Sequence, residues 1–83
     1  MNTLHDLSNI SKVIEGKLIE IGIDSPQLIK DIGSKEVFSR IKLKDSSACL
    51  NMLYAIEGAI EGIRWHYLSD DKKQELKTFY KTL

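Results

Sequence analysis

Apolar positions recur along this chain at three- and four-residue steps, and the longest run of them, from Ser47 to Gly62, sets the frame for the rest. Cys49, Met52, Leu53, Ile56, Ala59, Ile60 and Ile63 fall along one side of a 3.6-residue period, which makes the stretch a central helix. Asp45, Ser46 and Ser47 offer acceptors to the N–H groups that a first turn leaves free, and Gly62 offers the left-handed residue that ends the helix. Ala55 with Ala59, and Gly58 with Gly62, set small residues four apart, so a second backbone is expected to approach closely. Asn51, Glu57 and Glu61 interrupt the run, which excludes a membrane helix here.

The flanking segments carry the same period. Leu4 and Leu7 anchor one short helical turn, and Ser8 or Asn9 is placed to cap the next helix. In that helix Ile10, Val13, Ile14, Lys17 or Leu18, and Ile21 face inward while Lys12, Glu15 and Glu20 face outward. Gly16 inside it costs about 1 kcal/mol against alanine in an exposed helix, which points to close packing as its reason. Gly22 is the stop. Asp24-Ser25-Pro26 reads as a cap followed by proline at the first helical position, opening a second helix that runs to about Ile32 with Leu28, Ile29 and Ile32 as its apolar edge. Beyond Gly33-Ser34, a third helix is marked by Val37, Phe38 and Ile41, with Leu43 near its end. Ser69 caps a last helix with Asp70 and Asp71 at its positive end and Lys77 and Lys81 toward its negative one, and Leu76, Phe79, Tyr80 and Leu83 face inward. No segment alternates with period two, so the expectation is a compact all-α domain of five helices.

Composition narrows the functional classes. The 83 residues suit one domain with one core. Twelve basic and twelve acidic side chains cancel, which leaves no global field to gather phosphates or a membrane surface. Cys49 is the only cysteine and the two histidines stand far apart, so the expectation is no disulfide within the chain, no zinc site and no cofactor. With no signal-like apolar run at Met1 to Leu7, a reducing, cytoplasmic setting off the membrane is expected.

Two resemblances follow from particular residues. Asn9-Ile10-Ser11, a helix, the turn Glu20-Ile21-Gly22-Ile23 and a second helix resemble the helix-hairpin-helix layout, also described as SAM-like. In that group a glycine-containing hairpin brings backbone N–H groups onto a phosphate. The run Leu50-Asn51-Met52-Leu53-Tyr54-Ala55-Ile56-Glu57-Gly58-Ala59-Ile60-Glu61-Gly62, followed by Arg64-Trp65-His66 and Leu68, is similar to the C-terminal domain of the TfoX (Sxy) competence regulators. This likeness spans about Leu7 to Lys81, with Ser11 where the family commonly has glycine. It implies an all-α regulatory domain tied to DNA uptake and transformation, not an enzyme.

Individual side chains refine that picture. Cys49 is read as a small buried apolar residue rather than an activated thiol. His66 is read as a cap on the last carbonyls of the central helix, because no nucleophile and orienting acid accompany it, and His5 carries no signal. Glu57 and Glu61 lie four apart without the Glu-x-x-His companion of a helical metal site, and Arg64 is an ion-pair candidate for Glu61. Trp65 is expected to close the core, with a stacking platform or partner anchor as the other use of Trp65, Tyr67 and Tyr54. Ile19, Tyr54, Trp65 and Tyr67 are the candidate interface residues, and a weak homodimer is expected from them. Asn9, Ser11, Lys35, Arg40, Lys42 and Lys44 are the candidate contacts to nucleic acid or a partner. Any DNA binding is expected to be weak, insensitive to base sequence and carried by the four cations, since Ser11 has the Cβ that glycine lacks. The functional expectation is a non-catalytic regulatory domain associating weakly with nucleic acid, or a protein-interaction module of the same fold.

Overall fold

The computed structural model describes residues 9–83, which form five α-helices and one 3-10 turn, with no strand among the described residues. The helices are α1 (Lys12–Glu20), α2 (Pro26–Ile32), α3 (Ser34–Lys44), α4 (Leu50–Glu61) and α5 (Asp70–Tyr80), and the 3-10 turn (Trp65–Tyr67) joins the last two. The all-α class expected from the periodicity is the class adopted. The turn expected at Leu4 to Leu7, and His5 with it, fall outside the described residues.

Capping chemistry sets the boundaries. Ser11, Ser25 and Ser69 each hold an extended conformation ahead of a helix and accept from the N–H three residues on, at 3.3 Å from Ile14, 3.3 Å from Leu28 and 3.1 Å from Lys72. Ser11 therefore replaces Ser8 or Asn9 as the cap of α1. Asn9 is itself left-handed, at φ 70°, a conformation asparagine tolerates better than most residues. Gly22 (φ 87°) and Gly62 (φ 74°) end α1 and α4 in the same way. The Ile23 N–H reaches back to the Leu18 carbonyl at 2.9 Å, and the Ile63 N–H to the Gly58 carbonyl at 3.0 Å.

The central helix starts later than its polar flank suggests. The Asp45 carboxylate accepts from the Ser47 N–H at 3.0 Å, so these residues close a turn of their own instead of capping α4. Ala48 fills the core at this entry, while Cys49 takes the N-cap position, makes no side-chain cap bond and is exposed. The expectation of a buried cysteine is thus corrected by one residue of register.

Packing converges on α4, which touches α2, α3, α5 and the 3-10 turn. Leu53, Ile56 and Ala59 of α4 meet Val37, Phe38 and Ile41 of α3 in one cluster that also takes Leu18, Ile29 and Leu76 from the other helices. Ile10, Ile23 and Leu68 close it from the connections. Val13, 68% exposed, and Leu83, 50% exposed, leave the inward faces assigned to them. Val13 sits one residue, about 100° of helix rotation, away from the Ile14 and Leu18 line, and Leu83 lies past the end of α5.

The close backbone approach expected beside the small residues occurs at Gly58. A Cβ there would stand 2.6 Å from Asn9 Nδ2, 2.9 Å from the Ile63 carbonyl oxygen and 3.1 Å from Trp65 Cα. The same Asn9 side chain donates from Nδ2 to the Ile63 carbonyl at 2.8 Å and accepts at Oδ1 from the Trp65 N–H at 3.1 Å. Gly16 differs: nothing lies within 4 Å of its notional Cβ, so packing is not its reason. A further tie joins α1 to the α3–α4 connection, where the Lys17 ammonium hydrogen bonds to Asp45. Lys17 first, then Ser47, hold the Asp45 carboxyl down at about 2, and the same bond raises Lys17.

These contacts predict opposite signs for two chemically identical substitutions. Gly58→Ala should lower stability by about 2 kcal/mol, because overpacking against backbone outweighs the gain of about 1 kcal/mol in helix propensity. Gly16→Ala should raise it by about 0.5–1 kcal/mol, and thermal unfolding followed by circular dichroism reads both. Ile56→Ala, emptying a fully buried site, should cost about 2–5 kcal/mol, and a loss under about 1 kcal/mol would remove Ile56 from the core.

The Asp45 shift also has a direction in pH. A carboxyl lower in the folded state stabilises the fold above its unfolded value near 3.8, and that contribution is lost as pH falls through about 2. An NMR titration of Asp45 should give a midpoint near 2, moving up toward the ordinary value in Lys17→Met and stopping short of it because Ser47 still donates. An unchanged midpoint in the variant would show that the ion pair is not the cause.

Candidate interaction surface

Two depressions flank α4. The larger, about 470 Å³, lies between the start of α3 and α5 and is lined by Ser34, Lys35, Glu36, Glu57, Glu75 and Phe79, among others. Its polar groups are largely used among themselves. Ser34, buried at the first position of α3, donates from Oγ to Glu57 Oε1 at 2.6 Å. Lys35 pairs with Glu75 at 2.7 Å and lies over the Phe79 ring. Lys35, with help from Lys72, holds the Glu75 carboxyl below its ordinary value. One helical turn along α4, the hydrogen bond to Glu57, then burial, then the Glu57 charge push Glu61 up. The expected Arg64 ion pair with Glu61 does not form. Gly62 turns the chain out of the helix, so Arg64 is no longer one helical turn from Glu61.

The smaller groove, about 360 Å³, is built by the first turn of α4 and the segment that leaves its far end. Ile14, Met52 and Trp65 are half-buried in it, Cys49 stands at its edge, and Arg64 and His66 are exposed along it. The Trp65 ring is held by two others: Tyr54 stacks on it at 5.6 Å and His66 at 4.0 Å between ring centroids. Lys73 reinforces the stack, its Nζ donating to the His66 carbonyl at 3.1 Å and its own carbonyl accepting from Tyr54 at 3.4 Å. His66 is therefore a stacked surface ring, and the N–H groups of Gly62 and Ile63, not the imidazole, satisfy the last carbonyls of α4.

The remaining candidates are distributed over the fold. Ser11 caps α1 and the Asn9 carboxamide bridges Ile63 and Trp65, so both hairpin side chains hold the chain to itself. Lys42 donates to the Ser46 and Ala48 carbonyls at 2.7 and 2.8 Å, and Lys44 to the Glu20 carbonyl at 3.2 Å. Arg40 pairs with Glu36 at 3.0 Å. Ile19 and Tyr67 are exposed, on α1 and on the 3-10 turn, whereas Tyr54 and Trp65 share the stack. Among the described residues no group of three His, Cys, Asp or Glu could hold a metal, and no helix is long and apolar enough to cross a membrane. The sequence reading did not join Ile14, Met52 and Arg64, which has no ion pair among the described residues, into one surface; the signal was present in Gly62, which separates Arg64 from the acidic face of α4.

Comparison with known proteins places this geometry. The sequence profile of the TfoX C-terminal domain matches residues 1–80. Protein Sxy of Escherichia coli K12 is 34% identical over 73 residues, covering 88% of this chain and 35% of that protein. DNA transformation protein TfoX of Haemophilus influenzae is 28% identical over 76 residues, covering 92% of this chain and again 35% of its own length. The chain thus spans about a third of these relatives. A triclinic crystal structure of an uncharacterized protein from Listeria monocytogenes superposes with a TM-score of 0.96 at 53% identity, covering 98% of this chain and 92% of that one. A tetragonal crystal structure from the same species gives 0.93 at 54% identity, covering 95% and 98%. The profile match over nearly the whole chain makes this chain a member of the TfoX C-terminal domain family.

Proposed function

We propose that this domain is a non-catalytic regulatory module of DNA transformation that works by contacting another protein. The regulatory half of the reading is supported by the family and by relatives named as Sxy and as a DNA transformation protein. The protein-contact half rests on one observation: each cation considered for phosphate binding is already held within the fold. Lys35 and Arg40 are on carboxylates, and Lys42 and Lys44 are on carbonyls of neighbouring segments. With formal net charge zero, the domain adds no long-range attraction for nucleic acid.

A fluorescent duplex titrated between about 50 and about 200 mM salt tests this. Binding should be weaker than about 100 µM at the higher salt, equal for unrelated sequences, and lost when Lys35, Arg40, Lys42 and Lys44 become glutamine. Tight, sequence-selective binding at the higher salt would overturn the protein-contact reading. Deleting the gene should lower transcription of DNA-uptake genes, and unchanged transcription would overturn the transformation assignment.

A further inference from the structure

We infer that the groove between the first turn of α4 and the 3-10 turn docks an acidic peptide segment of another protein, one that inserts a single apolar side chain. This deepens the protein-contact reading and rests on it. The groove's apolar floor comes from Ile14, Met52 and Trp65, its basic side from Arg64 and His66, and no aspartate or glutamate among the described residues lines it. The larger cleft carries Glu36, Glu57 and Glu75 and is closed by its own pairs. The depression beside Leu43 and Leu83 also lacks an acid, but Lys42 there is already shared between two carbonyls. Arg64 has no carboxylate partner among the described residues, so its guanidinium is available to a partner's carboxylate.

Size and ring geometry select the occupant. A volume of about 360 Å³ lies at the small end of the range of about 300–1,000 Å³ for ligand sites, enough for one or two side chains. A nucleobase would need an open aromatic face, and the Trp65 ring already carries Tyr54 and His66 stacked on it and Lys73 Nζ at 6.0 Å from its centroid. One arginine and one histidine would also neutralise few phosphates. An extended acidic segment needs neither an open ring nor many cations.

The single tryptophan lies in the groove and reports on it directly. The probe is an acetylated heptapeptide with a central leucine flanked by aspartate and glutamate, compared with its asparagine/glutamine isostere and with oligothymidylate. The acidic peptide should shift Trp65 emission saturably, weaken with salt and slow alkylation of the exposed Cys49, while the isostere binds at least about tenfold more weakly. Arg64→Glu, at an exposed position with no ion pair among the described residues, should keep the helical circular dichroism and reduce affinity about tenfold. Equal response to both peptides, no saturable response, or unchanged affinity in Arg64→Glu would each overturn the inference. Stronger binding by oligothymidylate would overturn both this inference and the protein-contact reading. Self-association that alone protects Cys49, seen by sedimentation, would make a second copy the occupant and overturn this inference only.

Discussion

The fold depends on an absent side chain. Gly58 leaves room for the Asn9 carboxamide, and that carboxamide spans the turn that follows α4, donating to Ile63 and accepting from Trp65. Three elements distant in sequence are fixed by this one arrangement: the entry to α1, the body of α4 and the start of the 3-10 turn. A carboxamide is suited to the place because it presents a donor and an acceptor together, and the segment it grips offers one of each. The left-handed φ of Asn9 aims the side chain inward, and the left-handed Gly62 folds Ile63 and Trp65 back toward it. Removing any of the three conditions leaves the other two without a partner.

Much of the scaffold was legible in advance because its determinants are local. Ser25 and Ser69 as caps, Pro26 at the first position of α2, and Gly22 and Gly62 as stops all act within a few residues, and each is found in its expected role. Ile56 and Phe38 in the core follow from the same 3.6-residue period. Determinants that act across the chain were not legible. Nothing near Asn9 in sequence announces a partner beyond α4, so it reads as a cap; nothing near Asp45 announces Lys17, so it reads as part of the α4 start. A shift of one residue then carried Cys49 from the core to the surface, because Ala48 satisfied the apolar demand first.

Charge shows the same division between local and distant. Lys35, Arg40, Lys42 and Lys44 read as one set of candidate phosphate contacts when only the order of residues is considered. In three dimensions Lys35 crosses to Glu75, Lys44 reaches the last turn of α1 and Lys42 gathers the carbonyls of the α3–α4 turn. A lysine held by carbonyls keeps its charge but gives up freedom of placement, so such residues staple turns more readily than they track a flexible phosphate backbone. These four cations are therefore spent on the fold rather than gathered into one basic surface.

The segment gripped by Asn9 is also the segment that lines the groove. Trp65 is positioned by its backbone N–H, stacked with Tyr54 and with His66, and followed by a turn that Lys73 ties through the His66 carbonyl. The apolar floor is thus ordered by contacts that belong to folding, and a ligand entering it need not immobilise those rings itself. Arg64 is the exception, exposed and without an ion pair among the described residues in an otherwise pinned run. An apolar floor ordered by the fold, beside one exposed cation, would divide the work of recognition if the proposed segment docks there: the floor supplies shape and Arg64 supplies charge.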